Sequence, residues 1–114
     1  TEFAAMSGSE VALGAVAEAG LMAALERNCH KVHMVAFAPL LAHDALRSWR
    51  PDLIVFNEAG QVIGIPSFTV QRMFRQYAGT VCGKVRLEVL PGIEGSATCA
   101  NASCDSSEIK LVNF

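Results

Sequence analysis

Lys31-Val32-His33-Met34-Val35-Ala36-Phe37-Ala38-Pro39-Leu40-Leu41 holds a continuous apolar run, residues 32–41, in which His33 is the single polar side chain. Its length, with Lys31 before it and Pro39 near its end, predicts a strand buried on both faces, as in a parallel sheet. A helix precedes it. Ser7-Gly8-Ser9-Glu10 has the spacing of a capping box, in which hydroxyl and carboxylate exchange hydrogen bonds with each other's backbone amides. The helix runs to about residue 28 and is rich in Ala and Leu, which lose little on becoming helical. Val11, Ala15, Ala19, Met22, Leu25 and Cys29 make one stripe, and Leu13, Val16, Gly20, Ala23 and Ala24 fill much of the remaining circumference. A helix apolar nearly all round is covered on more than one side. Glu10, Glu18 and Glu26 are expected to mark what exposure remains. Helix followed by buried strand is half of an α/β repeat.

Beyond the run, residues 43–51 are polar and irregular. Residues 53–56 and 62–65 read as two short strands of a hairpin turning at Glu58-Ala59-Gly60. Pro66 suits the first turn of a second helix. Phe68, Val70, Met73, Phe74 and Tyr77 give that helix an apolar face, and Gly79 is expected to stop it. From Thr80 the texture changes. Val85-Arg86-Leu87-Glu88-Val89 alternates as a half-exposed antiparallel strand does. Residues 96–104 and 108–114 read as two more strands joined at Asp105-Ser106-Ser107, which is β-sandwich material with open edges.

Hydrophobic residues make up 52% of the 114, and charged residues 18%, so either the chain buries its surface very efficiently or some apolar surface expects a partner. The net charge of −2 is scattered, without the basic stripe that nucleic-acid binding needs. Glu18 and Glu26 interrupt the richest apolar stretch, so no membrane span is expected. Cys29, Cys82, Cys99 and Cys104 contain no Cys-x-x-Cys pair, which argues against a zinc or redox motif. They allow two disulfides in three pairings, with buried free thiols equally open for Cys29 and Cys82. His30 and His33 straddle a helix break and read as structural, so no metal site and no cofactor is expected. Asn101-Ala102-Ser103 matches the N-glycosylation acceptor pattern and leans towards a secreted protein.

Several pieces follow one another in order, of which Trp49-Arg50-Pro51-Asp52 and Gly64-Ile65-Pro66-Ser67 are the specific ones. Thr1-Glu2-Phe3-Ala4, Leu25-Glu26-Arg27-Asn28, Met34-Val35-Ala36-Phe37-Ala38-Pro39-Leu40, the stretch from Arg47-Ser48-Trp49-Arg50-Pro51-Asp52 to Phe56, and Gly64-Ile65-Pro66-Ser67-Phe68 resemble the family 51 glycoside hydrolases, the α-L-arabinofuranosidases. The likeness fades after Gly79 and returns weakly at Asn101-Ala102-Ser103-Cys104-Asp105. The resemblance implies a (β/α)8 barrel followed by a β-sandwich. Residues 1–78 would then be the last βα units of the barrel, and residues 79–114 the first strands of the sandwich. It also implies a secreted retaining hydrolase acting on arabinose-containing glycans. Such enzymes use two carboxylates about 5 Å apart, one attacking the anomeric carbon and one protonating the leaving oxygen.

Glu2 aligns with the family's nucleophile, at the end of a short apolar segment where a barrel enzyme keeps catalytic groups. The acid/base follows Gly-Asn in the family pattern, and no Gly-Asn-Glu occurs here. The resemblance thus implies half a catalytic pair, with a larger polypeptide supplying the rest of the barrel. His43 and Trp49 are candidate substrate contacts, although the family commonly has Asn-x-Asn where this chain has His43 and Ala45. The alternative is a non-catalytic structural or interaction subunit derived from the same fold.

Overall fold

The computed structural model describes residues 2–6, 10–82, 88 and 90–114. In chain order the elements are β1 (Glu2–Phe3), α1 (Ala12–Arg27), β2 (Ala36–Phe37), β3 (Leu41–His43), β4 (Ile54–Phe56), β5 (Val62–Gly64), α2 (Pro66–Gln76), β6 (Val81–Cys82), β7 (Ile93–Cys99) and β8 (Ser107–Asn113). They form three small sheets. Strands β1 and β2 are parallel, with Glu2 opposite Ala36 and Phe3 opposite Phe37. In the second sheet β3 is parallel and β5 antiparallel to the central β4. The third, β6-β7-β8, is antiparallel, and its β7–β8 ladder runs from Ile93↔Asn113 to Cys99↔Ser107.

The run at residues 32–41 departs from its reading as one buried strand. Only Ala36–Phe37 and then Leu41–His43 are strand, and of residues 32–41 only Phe37 is buried. The physical reason is partnership. A strand is buried on both faces only when sheet lies beside it and layers cover it, and β2 is paired only with the two residues of β1. What core exists here is Phe37, Leu53 and Ile65, with Ala4, Ile54 and Phe68 against it. Each of the three large side chains contributes roughly 1.5–3 kcal/mol by leaving water.

The hairpin reading holds. β4 and β5 are joined by a turn in which Gly60, at φ 75°, takes the left-handed conformation. Pro66 opens α2, where its missing N–H costs nothing. Gly79 does not cap that helix, which ends at Gln76. It is needed three residues later, where a Cβ would lie 2.5 Å from Thr98 Oγ1 and 2.7 Å from the Cys99 carbonyl oxygen, and where its N–H donates to Thr98 Oγ1 at 2.9 Å. Strand β7 starts earlier than residue 96, because the chain turns at Pro91-Gly92, with Gly92 at φ 83°. The alternating stretch at residues 85–89 falls largely outside the described residues.

Helix α1 is the centre of the structure and packs against α2, β7 and β8. The acidic residues on it and just before it contradict their reading as solvent markers. Glu18 is 2% exposed and accepts the Ala5 N–H at 2.8 Å. Glu26 accepts the Lys110 ammonium at 2.8 Å and the Ser96 hydroxyl. Glu10 accepts from Arg47 at 2.6 Å and Arg50 at 3.2 Å. That carboxylate is thus engaged with the loop after β3, and α1 begins at Ala12 with no side-chain cap on Val11; Ser7, the other half of the expected capping box, lies outside the described residues. Each glutamate therefore ties a different distant segment to one helix.

The cysteines form two disulfides, Cys29–Cys82 and Cys99–Cys104, and none is free. The first joins the end of α1 to β6 across 53 residues. The second closes the β7–β8 loop, with Cys104 at φ 57°.

Candidate active site

Glu2 is positioned by backbone pairing. The parallel register with β2 is supported by an edge-to-face contact of Phe3 on Phe37 (6.1 Å between centroids) and by the Ala38 N–H donating to the Phe3 carbonyl at 3.2 Å. Side chains alternate along a strand, so Phe3 faces inward and Glu2 is left exposed. Just beyond β1, the Ala5 amide is held by the buried Glu18 carboxylate of α1. Among the described residues the Glu2 carboxylate has no hydrogen-bond or ion-pair partner.

His43 ends β3, opposite Phe56, and its ring meets that of Phe56 edge-on at 5.2 Å. Its Nδ1 is buried and unpartnered among the described residues. The loop that follows is clamped. Arg47 lies between Glu10 (2.6 Å), Asp44 (3.3 Å) and Asp52 (3.7 Å), and Glu10 also receives Arg50 and the Asp52 N–H. Arg47 and Asp52 are both nearly out of water, and their pairing is one contact of a larger network. Trp49 sits between the two gripping arginines and is 52% exposed.

Glu2 and His43 lie in different sheets, Trp49 lies in a loop, and no hydrogen bond, ion pair or ring contact joins the three among the described residues. Two concavities lie elsewhere. One of about 790 Å³ is lined by Glu26, Cys29, His33, Gln71 and Arg75, among others, and one of about 540 Å³ lies between α1, α2 and β8. Neither contains Glu2, His43 or Trp49. What these residues present is a single open carboxylate, a packed imidazole and an indole on a rigidly held loop. The positioning roles of Glu10 and Glu18 were missed in the sequence. No local signal gave them away, because a glutamate stays in water unless a partner meets it, and the partners here, Arg47 and the Ala5 amide, lie elsewhere in the chain.

A family model described as the alpha-L-arabinofuranosidase C-terminal domain matches residues 8–103. The chain belongs to that family. Alpha-L-arabinofuranosidase 1 of Arabidopsis thaliana is 34% identical over 116 residues, covering 95% of this chain and 16% of the relative. The extracellular exo-alpha-L-arabinofuranosidase of Streptomyces chartreusis is 33% identical over 75% of this chain and 10% of its own length. Among solved structures, an arabinose-bound MgGH51 α-L-arabinofuranosidase superposes with a TM-score of 0.75 at 33% identity, over 88% of this chain and 16% of that one. The chain thus spans about a sixth or less of the arabinofuranosidases it matches. The family match starts after Glu2 and takes in His43, Trp49 and Asn101. Among the described residues no helix is long and apolar enough to cross a membrane.

Proposed function

We propose that this chain is the C-terminal part of a secreted, retaining α-L-arabinofuranosidase that releases arabinofuranosyl units from polysaccharides or glycoproteins. Glu2 is its nucleophile, and the acid/base lies outside these residues. The observation that carries the reading is the parallel pairing of β1 with β2, since a carboxylate on a parallel strand, followed by a helix, is how a barrel presents a catalytic group. In this reading residues 1–78 complete a barrel and residues 79–114 open a sandwich. Ile109 and Leu111 alternate with Lys110 and Val112 along β8 and stay exposed, as a strand awaiting a second sheet would leave them. The radius of gyration, 15.6 Å against roughly 13 Å for a closed domain of this length, also fits a part made to be completed.

The reaction follows from the two-carboxylate requirement. Glu2 attacks the anomeric carbon as the acid/base protonates the departing oxygen; water, deprotonated by the same acid/base, then frees the sugar from Glu2. His43 and Trp49 bound the approach to the sugar. An aryl arabinofuranoside assay tests the reading. The 114-residue chain is expected to be inert, and a polypeptide that includes the rest of the barrel active, with Glu2→Gln lowering kcat by at least about 10³-fold. Turnover by the short chain that Glu2→Gln abolishes would overturn the claim that it is incomplete; full activity of the longer Glu2→Gln variant would overturn the nucleophile.

A further inference from the structure

The proposed reaction makes no use of Asn101-Ala102-Ser103. These residues lie in the β7–β8 loop, where residues 100–106 are all exposed. The loop is closed by Cys99–Cys104, with Cα atoms 5.0 Å apart. Inside it the Asn101 side chain is used at both ends. Its Nδ2 donates to Asp105 Oδ2 at 3.0 Å, and its Oδ1 accepts from the Ser103 hydroxyl at 3.0 Å and from the Asp105 N–H at 3.2 Å. The Ser103 hydroxyl also lies 2.7 Å from Asp105 Oδ2, so its one proton is shared between two acceptors. The Cys104 N–H donates to the Asn101 carbonyl at 3.1 Å, which tightens the ring further.

We propose that Asn101 carries an N-linked glycan, attached before Cys99 and Cys104 join. A glycosyltransferase must take the asparagine amide and the hydroxyl two residues on into its own site. In the closed loop those groups already satisfy one another, and Cys104, the residue after the hydroxyl, is pinned to β7. An open dithiol loop has no such restraint. In the transfer, Asn101 Nδ2 attacks C1 of the sugar on a lipid-diphosphate donor. A C–N bond forms, the C1–O bond to diphosphate breaks, the diphosphate leaves as an anion, and the amide gives up one proton. Cys99 and Cys104 later pass two electrons and two protons to a protein disulfide of the secretory compartment, which is reduced to a dithiol. Because the loop is open to solvent, a glycan on the remaining N–H of Asn101 does not obstruct closure. The two steps therefore compete, and the fraction of chains glycosylated depends on how fast the loop oxidises.

The inference rests on the proposed export of the protein but not on its chemistry as a hydrolase, so its failure leaves Glu2 untouched. The test expresses the protein with its whole native chain through a eukaryotic secretory pathway. Mass spectrometry of the peptide bearing Asn101, with and without enzymatic deglycosylation, reads the glycosylated fraction. Secreted and cell-retained pools are both analysed, so that a variant that fails to fold still reports. A glycan is expected in the parent, none in Asn101→Gln or Ser103→Ala, and an occupied fraction about twofold higher or more in Cys104→Ser. An unmodified peptide in both parent and Cys104→Ser overturns the site. Equal occupancy in those two overturns the order of events.

Discussion

Helix α1 is apolar on nearly every side, and Gly14, Ala15, Glu18, Ala19, Gly20 and Ala23 are buried in it. Helix α2 has a clear apolar face, yet Ser67 is its only fully buried residue, and Met73 and Tyr77 stay about half exposed. An amphipathic pattern states which face seeks cover, not whether cover is present. The cover on the buried side of α1 comes from within the chain, from α2, β7 and β8 and through glutamates that draw other segments onto it, while Leu13 and Leu21 stay exposed. The apolar face of α2 borders the open groove of about 540 Å³ shared with β8.

The contrast is broken most severely by removing what binds α1 to the loop after β3. Arg47→Ala leaves Glu10, Asp44 and Asp52 facing one another without their shared cation, two of them largely buried. It is expected to cost about 3–5 kcal/mol in urea unfolding, and a loss below about 1 kcal/mol would mean that the network does not hold α1. Opening the Cys29–Cys82 link at the end of α1, as the double change to serine, frees a loop of 53 residues in the unfolded chain. A destabilisation near 4 kcal/mol is expected from chain entropy, against about 2 kcal/mol for the short Cys99–Cys104 loop; the two unfolding midpoints should rank in that order.

Met73→Ser and Tyr77→Ser sharpen the comparison from the α2 side. Each should shift the stability of the 114-residue chain by no more than about 0.5 kcal/mol. In a longer polypeptide that covers the groove, the same changes should cost visibly more. Smallest of all is a local effect of acid. Hydrogen bonds from Ser103 and then Asn101 hold the Asp105 carboxyl below its ordinary value of 3.8. The unfolded chain therefore binds that proton more readily, so the contribution of Asp105 is present above the ordinary value and fades as pH falls through the lowered one. An NMR titration of Asp105 should show the depressed midpoint, and Ser103→Ala should raise it.

The β4–β5 hairpin and the Pro66 start of α2 were legible because each is written in neighbouring residues: a turn glycine and a fixed φ. The run at residues 32–41 was misread for the opposite reason, since its composition describes a strand inside a wide sheet and only a two-residue neighbour lies beside it. Of the candidate site, Glu2 was named from family likeness, whereas His43 departs from the family's Asn-x-Asn. The clamps that orient their segments, Glu10 and Glu18, were assigned to a cap and to solvent.

The two helices, the β4–β5 hairpin and family membership are thus carried by local pattern. Which carboxylates go inside, which cysteines join and which glycine a neighbouring strand requires were settled by where residues 47, 82, 96 and 110 arrive. A charged side chain enters a core only when an oppositely charged or donor group meets it there, and that group comes from tens of residues away.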